Sequence, residues 1–197
     1  DTPFLLHGET ALRFSDIATQ HIADLSGVRR GDVVAIIGDF DPPGILALLR
    51  LVDMGVVVVP LTKETAHEHE YFFESAFVDV VVDGTAVRRI DHGRSHPLIA
   101  GLRERSCAGL VLFSTGTTGR PKAILHDLTL FIRRFETPRP TFRTLNFLLF
   151  DHIGGINTLL HTLFNRGVVV SPVERTVGSV LETCRRHAVE VLPTTPT

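Results

Sequence analysis

Glycines, hydroxyl side chains and one lysine are concentrated in a single short segment, Ser114-Thr115-Gly116-Thr117-Thr118-Gly119-Arg120-Pro121-Lys122. Glycines allow backbone turns that side chains would block, and hydroxyl groups add donors for phosphate oxygens. Lys122 adds a full positive charge on a flexible stem. The chain has only two lysines, Lys63 and Lys122, so a lysine at this position is a specific feature. These residue types predict a loop that binds a polyphosphate.

A solvated turn is the alternative interpretation of this segment, because Gly, Ser, Thr and Pro are typical of any loop. The apolar run over residues 110–113 favours the phosphate loop, since it predicts a buried strand leading directly into the segment. A Walker loop is excluded by the spacing. Two residues separate Gly116 from Gly119, and Lys122 does not follow a glycine.

The composition is that of a soluble domain with a sizeable core: 197 residues, 44% hydrophobic, 21% charged and a net charge of −2. The near-neutral balance argues against a nucleic-acid partner. Cys107 and Cys184 are too few for a disulfide framework and favour a reduced, cytoplasmic protein. No apolar stretch reaches the roughly 18 residues of a membrane span, and the first residues show no basic region followed by an apolar core, so we expect neither a membrane span nor an export signal.

Apolar runs alternate with helical patterns along the chain, which predicts an α/β fold with mainly parallel sheets flanked by helices. We predict strands over residues 33–37, 56–59, 78–82, 86–90, 110–113, 145–150, 168–170 and 189–192. We predict helices over residues 15–27, 41–54, 66–75, 127–135, 156–164 and 177–187.

A second set of candidate residues, Asp151, His152, Gly154 and Gly155, follows the predicted strand over 145–150. Open α/β sheets bind ligands beyond the carboxyl ends of their strands, so this set predicts a substrate pocket. A buried carboxylate at Asp151 would be costly without a cation. It indicates either an ammonium substrate or, more simply, exposure to solvent.

Other histidines give weaker signals. His67 and His69 lie two residues apart, which is not the spacing of a zinc-binding helix, so a solvated helix face is the preferred interpretation. His126 is predicted to open the helix after the loop, where it contacts nucleotide or supports the loop.

The segment over 114–122 resembles the phosphate loop of the adenylate-forming superfamily, which includes acyl- and aryl-CoA ligases, luciferases and the adenylation domains of nonribosomal peptide synthetases. Other segments resemble the superfamily in the same order along the chain. They are Leu12-Arg13-Phe14-Ser15-Asp16-Ile17, Gly31-Asp32-Val33-Val34-Ala35, the turn over 51–61, and Phe150-Asp151-His152-Ile153-Gly154-Gly155.

This resemblance implies a two-step reaction. A carboxylate attacks the α-phosphate of ATP to give an acyl-adenylate and pyrophosphate, and a thiol of coenzyme A or of a carrier protein's phosphopantetheine then takes the acyl group. Residues 114–119 would hold the β- and γ-phosphates, Lys122 would offset their charge, and magnesium would accompany the ATP. His152 would lie at the edge of the acyl site, and the His-Ile-Gly-Gly sequence favours a small acid that is not an amino acid.

Two departures from the pattern are informative. Ala123 stands where the superfamily usually has glycine, and its methyl group would crowd the backbone. Residues 192–197 resemble the middle of the superfamily's large domain. We therefore expect residues 1–197 to be a single partial domain, the N-terminal portion of the large domain, which does not complete catalysis alone. An unpaired sheet edge would favour a homodimer.

Three alternatives stay open at this point. The chain is also compatible with a truncated nucleotide-binding or scaffold module, with a degenerate homologue kept for protein contacts, and with a fragment of an amino-acid adenylation domain.

Overall fold

The computed structural model describes residues 2–90, 94–114 and 119–194. Its strands are β1 (Leu5–His7), β2 (Thr10–Leu12), β3 (Val33–Ile37), β4 (Val57–Leu61), β5 (Val80–Asp83), β6 (Ala86–Arg89), β7 (Gly109–Phe113), β8 (Ala123–Asp127), β9 (Arg143–Leu145) and β10 (Val168–Ser171). Its α-helices are α1 (Asp16–Thr19), α2 (Pro42–Asp53), α3 (His69–Ala76), α4 (Pro97–Glu104), α5 (Leu128–Ile132), α6 (Ile153–Phe164) and α7 (Val177–Arg186), with 3₁₀ helices at Lys63–Glu68 and Arg133–Phe135.

The chain divides into two compact units. The first unit comprises Asp1–Gln20, Phe40–Pro42 and Ile132–Thr197. The second unit comprises His21–Asp39 and Pro43–Phe131. The predicted phosphate loop belongs to the second unit, and the residues of the second candidate set belong to the first.

The second unit is built on a six-stranded sheet with the order β6-β5-β3-β4-β7-β8. The four central strands are parallel, and the two edge strands, β6 and β8, are antiparallel to their neighbours. The central strands are almost entirely apolar because helices cover both faces of a parallel sheet. The predicted hairpin partner of β5 is confirmed, since Asp83 pairs with Ala86 across a turn at Gly84.

The first unit contains a four-stranded sheet with the order β2-β1-β10-β9. Three of these strands are parallel and β2 is antiparallel to β1. Helix α6 buries Ile156 and Leu159, whereas α7 has no buried residue among those described. Both units therefore confirm the predicted class of mainly parallel sheets with helices.

The predicted helix over 15–27 is wrong beyond its first turn. Helix α1 ends at Thr19, and the backbone of Gln20 is extended. Ser15 makes no side-chain cap, and the carboxylate of Asp24 accepts a 3.0 Å hydrogen bond from the amide of Ser26. That local bond stabilises a turn in competition with the helix.

The region after the phosphate loop also differs from its prediction. Residues Ala123–Asp127 form β8, so His126 lies in a strand and does not open a helix. The predicted helix over 127–135 becomes the short α5 and a 3₁₀ turn. The reason is tertiary, because β8 gains a full antiparallel ladder with β7 that local helix propensity does not offset.

Further boundaries change elsewhere. Helix α4 was not predicted; His96 caps it by accepting a hydrogen bond from the amide of Leu98, and Pro97 occupies its first turn. The predicted strand over 145–150 is instead Arg143–Leu145. The predicted strand over 189–192 is reduced to one bridge between Thr144 and Val191.

Candidate functional site

The predicted phosphate loop joins two paired strands of the second unit. Strand β7 runs antiparallel to β8, and the last pair of the ladder is Phe113 with Ala123. Beyond it, the amide of Ser114 donates a 3.0 Å hydrogen bond to the carbonyl of Lys122. The amide of Lys122 donates a 3.1 Å hydrogen bond to the hydroxyl of Ser114. The two ends of the predicted loop are thus held together at the carboxyl end of β7.

The position of this loop in the sheet suits a ligand. Strands β4 and β7 are parallel neighbours, so their carboxyl ends lie at the same edge. The chain leaves β4 toward β5 on one side and leaves β7 toward β8 on the other. Open α/β sheets bind ligands beyond the carboxyl ends of their strands, and the loop lies at that end of β7. Lys63, the other lysine, follows β4 at this edge and begins a 3₁₀ helix.

The charge at the loop is available for a ligand. Lys122 is exposed, and no carboxylate of the described residues forms an ion pair with it. The hydroxyl of Ser114 uses its oxygen as an acceptor for the Lys122 amide, which leaves its proton free to donate. An ammonium and a hydroxyl donor therefore lie on the two facing arms of the loop.

Gly119 and Ala123 bear on the glycine pattern of the loop. A Cβ atom added at Gly119 would meet nothing within 4 Å, so no protein atom in the described part of the chain requires a glycine there. Open space around a backbone is what close approach to a ligand needs. Ala123 lies in the regular ladder of β8 and is exposed, so its methyl group fits and the expected crowding does not occur. Thr115, Gly116, Thr117 and Thr118 lie outside the described residues.

Helix α3 packs against both arms of the loop. The ring of Phe72 stacks on the ring of Phe113 with centroids 4.1 Å apart. The hydroxyl of Tyr71 donates a 2.8 Å hydrogen bond to the carbonyl of Pro121. The guanidinium of Arg120 lies 5.1 Å from the centroid of the Tyr71 ring. Sequence reasoning missed these residues, because the contacts join positions about 40 to 50 residues apart.

The second candidate set lies around the start of α6 in the first unit. His152 immediately precedes the helix, is exposed, and makes no side-chain cap. Asp151 is half-buried, and it lies six residues beyond the end of β9. The set therefore follows a loop and does not directly follow a strand, which corrects the expected placement.

Gly154 and Gly155 have different environments. A Cβ added at Gly154 would lie 3.0 Å from the end of the Leu148 side chain. A Cβ added at Gly155 would lie 2.6 Å from the ring of buried Phe40 and would also collide with the carbonyl oxygen of Leu149. Close packing alone therefore explains the glycine at 155, whereas Gly154 has a flexible neighbour.

A buried carboxamide was also missed. Asn146 follows β9 and is fully buried, and neither its side-chain nitrogen (Nδ2) nor its side-chain oxygen (Oδ1) has a hydrogen-bond partner among the described residues. A buried polar group without a partner destabilises a fold. Nothing in the sequence distinguishes this residue from an ordinary strand-end Asn.

Asp127 anchors the far end of β8. Burial alone would raise its pKa, but hydrogen bonds from Arg105 and from the amides of Leu130 and Thr129 outweigh that effect and lower the pKa below the usual 3.8. The carboxylate thus stabilises the first turn of α5.

Within residues 2–90, 94–114 and 119–194, no three His, Cys, Asp or Glu side chains are grouped as metal ligands.

Comparison with known proteins places this geometry in a family. A family model described as AMP-binding enzyme matches residues 13–197. The chain belongs to the AMP-binding enzyme family. This confirms the resemblance to the adenylate-forming superfamily. No match is found among curated proteins.

Solved structures of this family share the fold. O-succinylbenzoate CoA synthetase (MenE) from Bacillus subtilis has 18% identity and a TM-score of 0.69 over 96% of this chain and 57% of that one. The NpsA N-terminal subdomain from Klebsiella oxytoca has 19% identity and a TM-score of 0.76 over 98% and 56%. The artificially fused NpsA-ThdA from the same organism has 18% identity and a TM-score of 0.76 over 98% and 44%. The chain thus spans a little over half the length of MenE.

No helix in the described part of the chain is long and apolar enough to cross a membrane.

Proposed function

We propose that this chain provides the ATP triphosphate site of an enzyme that activates a carboxylic acid as an acyl-adenylate and transfers the acyl group to a thiol. Family membership supports the class of reaction. The observation that carries the proposal is the pairing of Ser114 with Lys122 at the carboxyl end of β7. It brings an ammonium and a hydroxyl donor to the edge where β4 and β7 end.

The first step moves negative charge toward the β- and γ-phosphates. A carboxylate oxygen forms a bond to the α-phosphorus, the bond from that phosphorus to the bridging oxygen breaks, and pyrophosphate leaves with the electron pair. A cation beside the leaving group stabilises this charge more in the transition state than in bound ATP. We assign that role to Lys122, with Ser114 and the remaining hydroxyls and amides of residues 114–119 as phosphate donors.

Magnesium enters this proposal with the nucleotide. It would neutralise phosphate charge, and in nucleotide sites it is held by the phosphates, by water and by one or two carboxylates. In the second step the sulfur of a thiol bonds to the acyl carbon and loses its proton, the bond from that carbon to the phosphate oxygen breaks, and AMP leaves with the electron pair.

The relatives indicate the chemistry of the acid and of the acceptor. MenE has been solved with the acyl-adenylate OSB-AMP and NpsA with 3-hydroxyanthranilyl-AMSN. NpsA-ThdA is an adenylation-PCP fusion. We therefore propose a small carboxylic acid other than an α-amino acid as the substrate, and coenzyme A or the phosphopantetheine of a carrier protein as the acceptor. Asp151, His152 and Gly154 stay predicted pocket residues.

Isothermal titration with Mg-ATP tests the proposal. We expect saturable binding by the chain and a Kd at least about tenfold higher for Lys122→Ala, because a hydrogen bond to a charged group contributes about 1.5–3 kcal/mol. The matched control is Arg88→Ala, which removes one exposed positive charge from β6 at the opposite edge of the same sheet. Equal affinity of the two variants would contradict the proposal, as would no binding by a folded chain.

A further inference from the structure

We propose that Tyr71 is a positioning residue for the phosphate loop and fixes the arm that carries Lys122. This inference rests on the function proposed above. Tyr71 is the chain's only tyrosine, and it lies in the first turn of α3. Its hydroxyl reaches across to the carbonyl of Pro121, the residue that immediately precedes Lys122.

Helix α3 offers a rigid base for this contact. Phe72 and Ala76 are buried on its inner face, and Phe72 stacks on Phe113, the last residue of β7. Tyr71, the neighbour of Phe72, packs partly against the same core and bonds to Pro121. Adjacent side chains of one helix thus hold the strand that enters the loop and the segment that leaves it.

The contact with Pro121 determines where Lys122 begins. Proline has a fixed φ and no amide proton, so its carbonyl is the one backbone group through which Pro121 can be held. The next residue is held from the other side, since Ser114 bonds to both the amide and the carbonyl of Lys122. The Lys122 stem therefore starts from a backbone fixed at two successive residues.

The ring of Tyr71 adds a second contact. The Arg120 guanidinium lies over the ring at 5.1 Å, within the range of a cation–π interaction. Because the Arg120 guanidinium lies against Tyr71, Lys122 is the cation of this arm that can move toward a ligand. The hydroxyl and the ring thus act on consecutive residues, Pro121 and Arg120.

A purely structural role for Tyr71 makes a different prediction from a positioning role. If the residue only filled space, loss of its hydroxyl would lower stability and leave nucleotide affinity unchanged. Tyr71→Phe separates the two, because it keeps the ring, its packing and the Arg120 contact and removes only the bond to Pro121. The matched control is Ile45→Val, which removes one methylene group from a fully buried side chain of α2. It should lower the free energy of unfolding by an amount similar to the loss of one hydrogen bond.

The experiment measures Mg-ATP affinity and amide hydrogen exchange in the 197-residue chain and in the Tyr71→Phe, Ile45→Val and Lys122→Ala variants. For Tyr71→Phe we expect the Kd to rise about fivefold, the effect of one net hydrogen bond, and exchange of the Lys122 amide to become faster by a similar factor. Ile45→Val should change neither quantity at this site.

The outcomes separate this inference from the proposed function. Weakened binding by Lys122→Ala with unchanged affinity for Tyr71→Phe would overturn the positioning role and leave the phosphate loop intact. Unchanged affinity for Lys122→Ala would overturn the proposed function, and the positioning role with it. Unchanged exchange of the Lys122 amide in Tyr71→Phe would overturn the positioning role whatever the ATP titration gives.

Discussion

Gly155 offers the sharpest test of how the start of α6 is packed. In Gly155→Ala the new methyl group would lie 2.6 and 2.9 Å from two carbons of the Phe40 ring and would collide with the Leu149 carbonyl oxygen. Phe40 is fully buried and packs edge-on against Phe150, also fully buried, with centroids 5.1 Å apart. Neither ring has room to retreat, so the helix itself must shift.

The size of the effect follows from two opposing contributions. Overpacking a well-packed core costs about 1–3 kcal/mol, and a collision with backbone places this variant at the upper end. Alanine is favoured over glycine in a helix by up to about 1 kcal/mol. We therefore expect Gly155→Ala to lower the free energy of unfolding by about 2 kcal/mol.

Gly154→Ala is the matched control, one residue earlier in the same helical turn. Its methyl group would meet only the end of the Leu148 side chain at 3.0 Å, and a half-buried leucine can rotate away. We expect its stability to stay within about 1 kcal/mol of wild type, with any change in the stabilising direction. Urea unfolding followed by far-ultraviolet circular dichroism measures both variants. Equal midpoints for the two would refute the packing explanation for the glycine at 155.

Three further changes have outcomes that the structure sets. Asp127→Asn should lower the free energy of unfolding by less than about 1 kcal/mol at pH 7, because Arg105 is largely exposed. Since the pKa of Asp127 is lowered in the folded chain, the stabilisation by its carboxylate is present above about pH 4 and is lost on acidification. A stability difference between variant and wild type that stays constant down to pH 3 would contradict this expectation. Asn146→Leu, which keeps a similar volume, should raise the free energy of unfolding by about 1 kcal/mol by replacing an unpaired buried carboxamide with an apolar group, and a loss of stability in denaturant titration would contradict this expectation. Thr176→Ala should cost about 1 kcal/mol, because the Thr176 hydroxyl accepts a hydrogen bond from the Ser179 amide at the start of α7, and Thr176→Ser should restore the helical signal in circular dichroism.

Local sequence predicted the elements whose signals are strong and self-contained. Strand β3 has the predicted bounds, Val33–Ile37, because five consecutive apolar residues favour a strand buried on both faces. Helix α2 begins at Pro42, one residue after its predicted start, since proline suits the first helical turn. The composition of the loop likewise predicted its place after β7.

The features that were missed depend on partners far away in the sequence. Residues 123–127 form a strand because β7 pairs with them, and nothing within the segment requires that pairing. The role of Tyr71 depends on Pro121, and the constraint on Gly155 depends on Phe40, more than 100 residues away. The pattern of glycines could therefore indicate a pocket at 154–155 without showing that one of the two is needed for packing.

The loop's connection to a strand affects how phosphate charge is balanced. Many phosphate loops precede a helix, whose N-terminus supplies about half a positive charge. Here Lys122 leads into β8, and between residues 119 and 127 of the described chain no helix begins. Side-chain charge must then replace the helix dipole, and Arg120 is directed to Tyr71. Mg-ATP affinity should therefore fall with added salt in the wild-type chain, because a mobile exposed ammonium is screened. The slope should be shallower in Lys122→Ala, and equal slopes would show that Lys122 is not the source of the balancing charge.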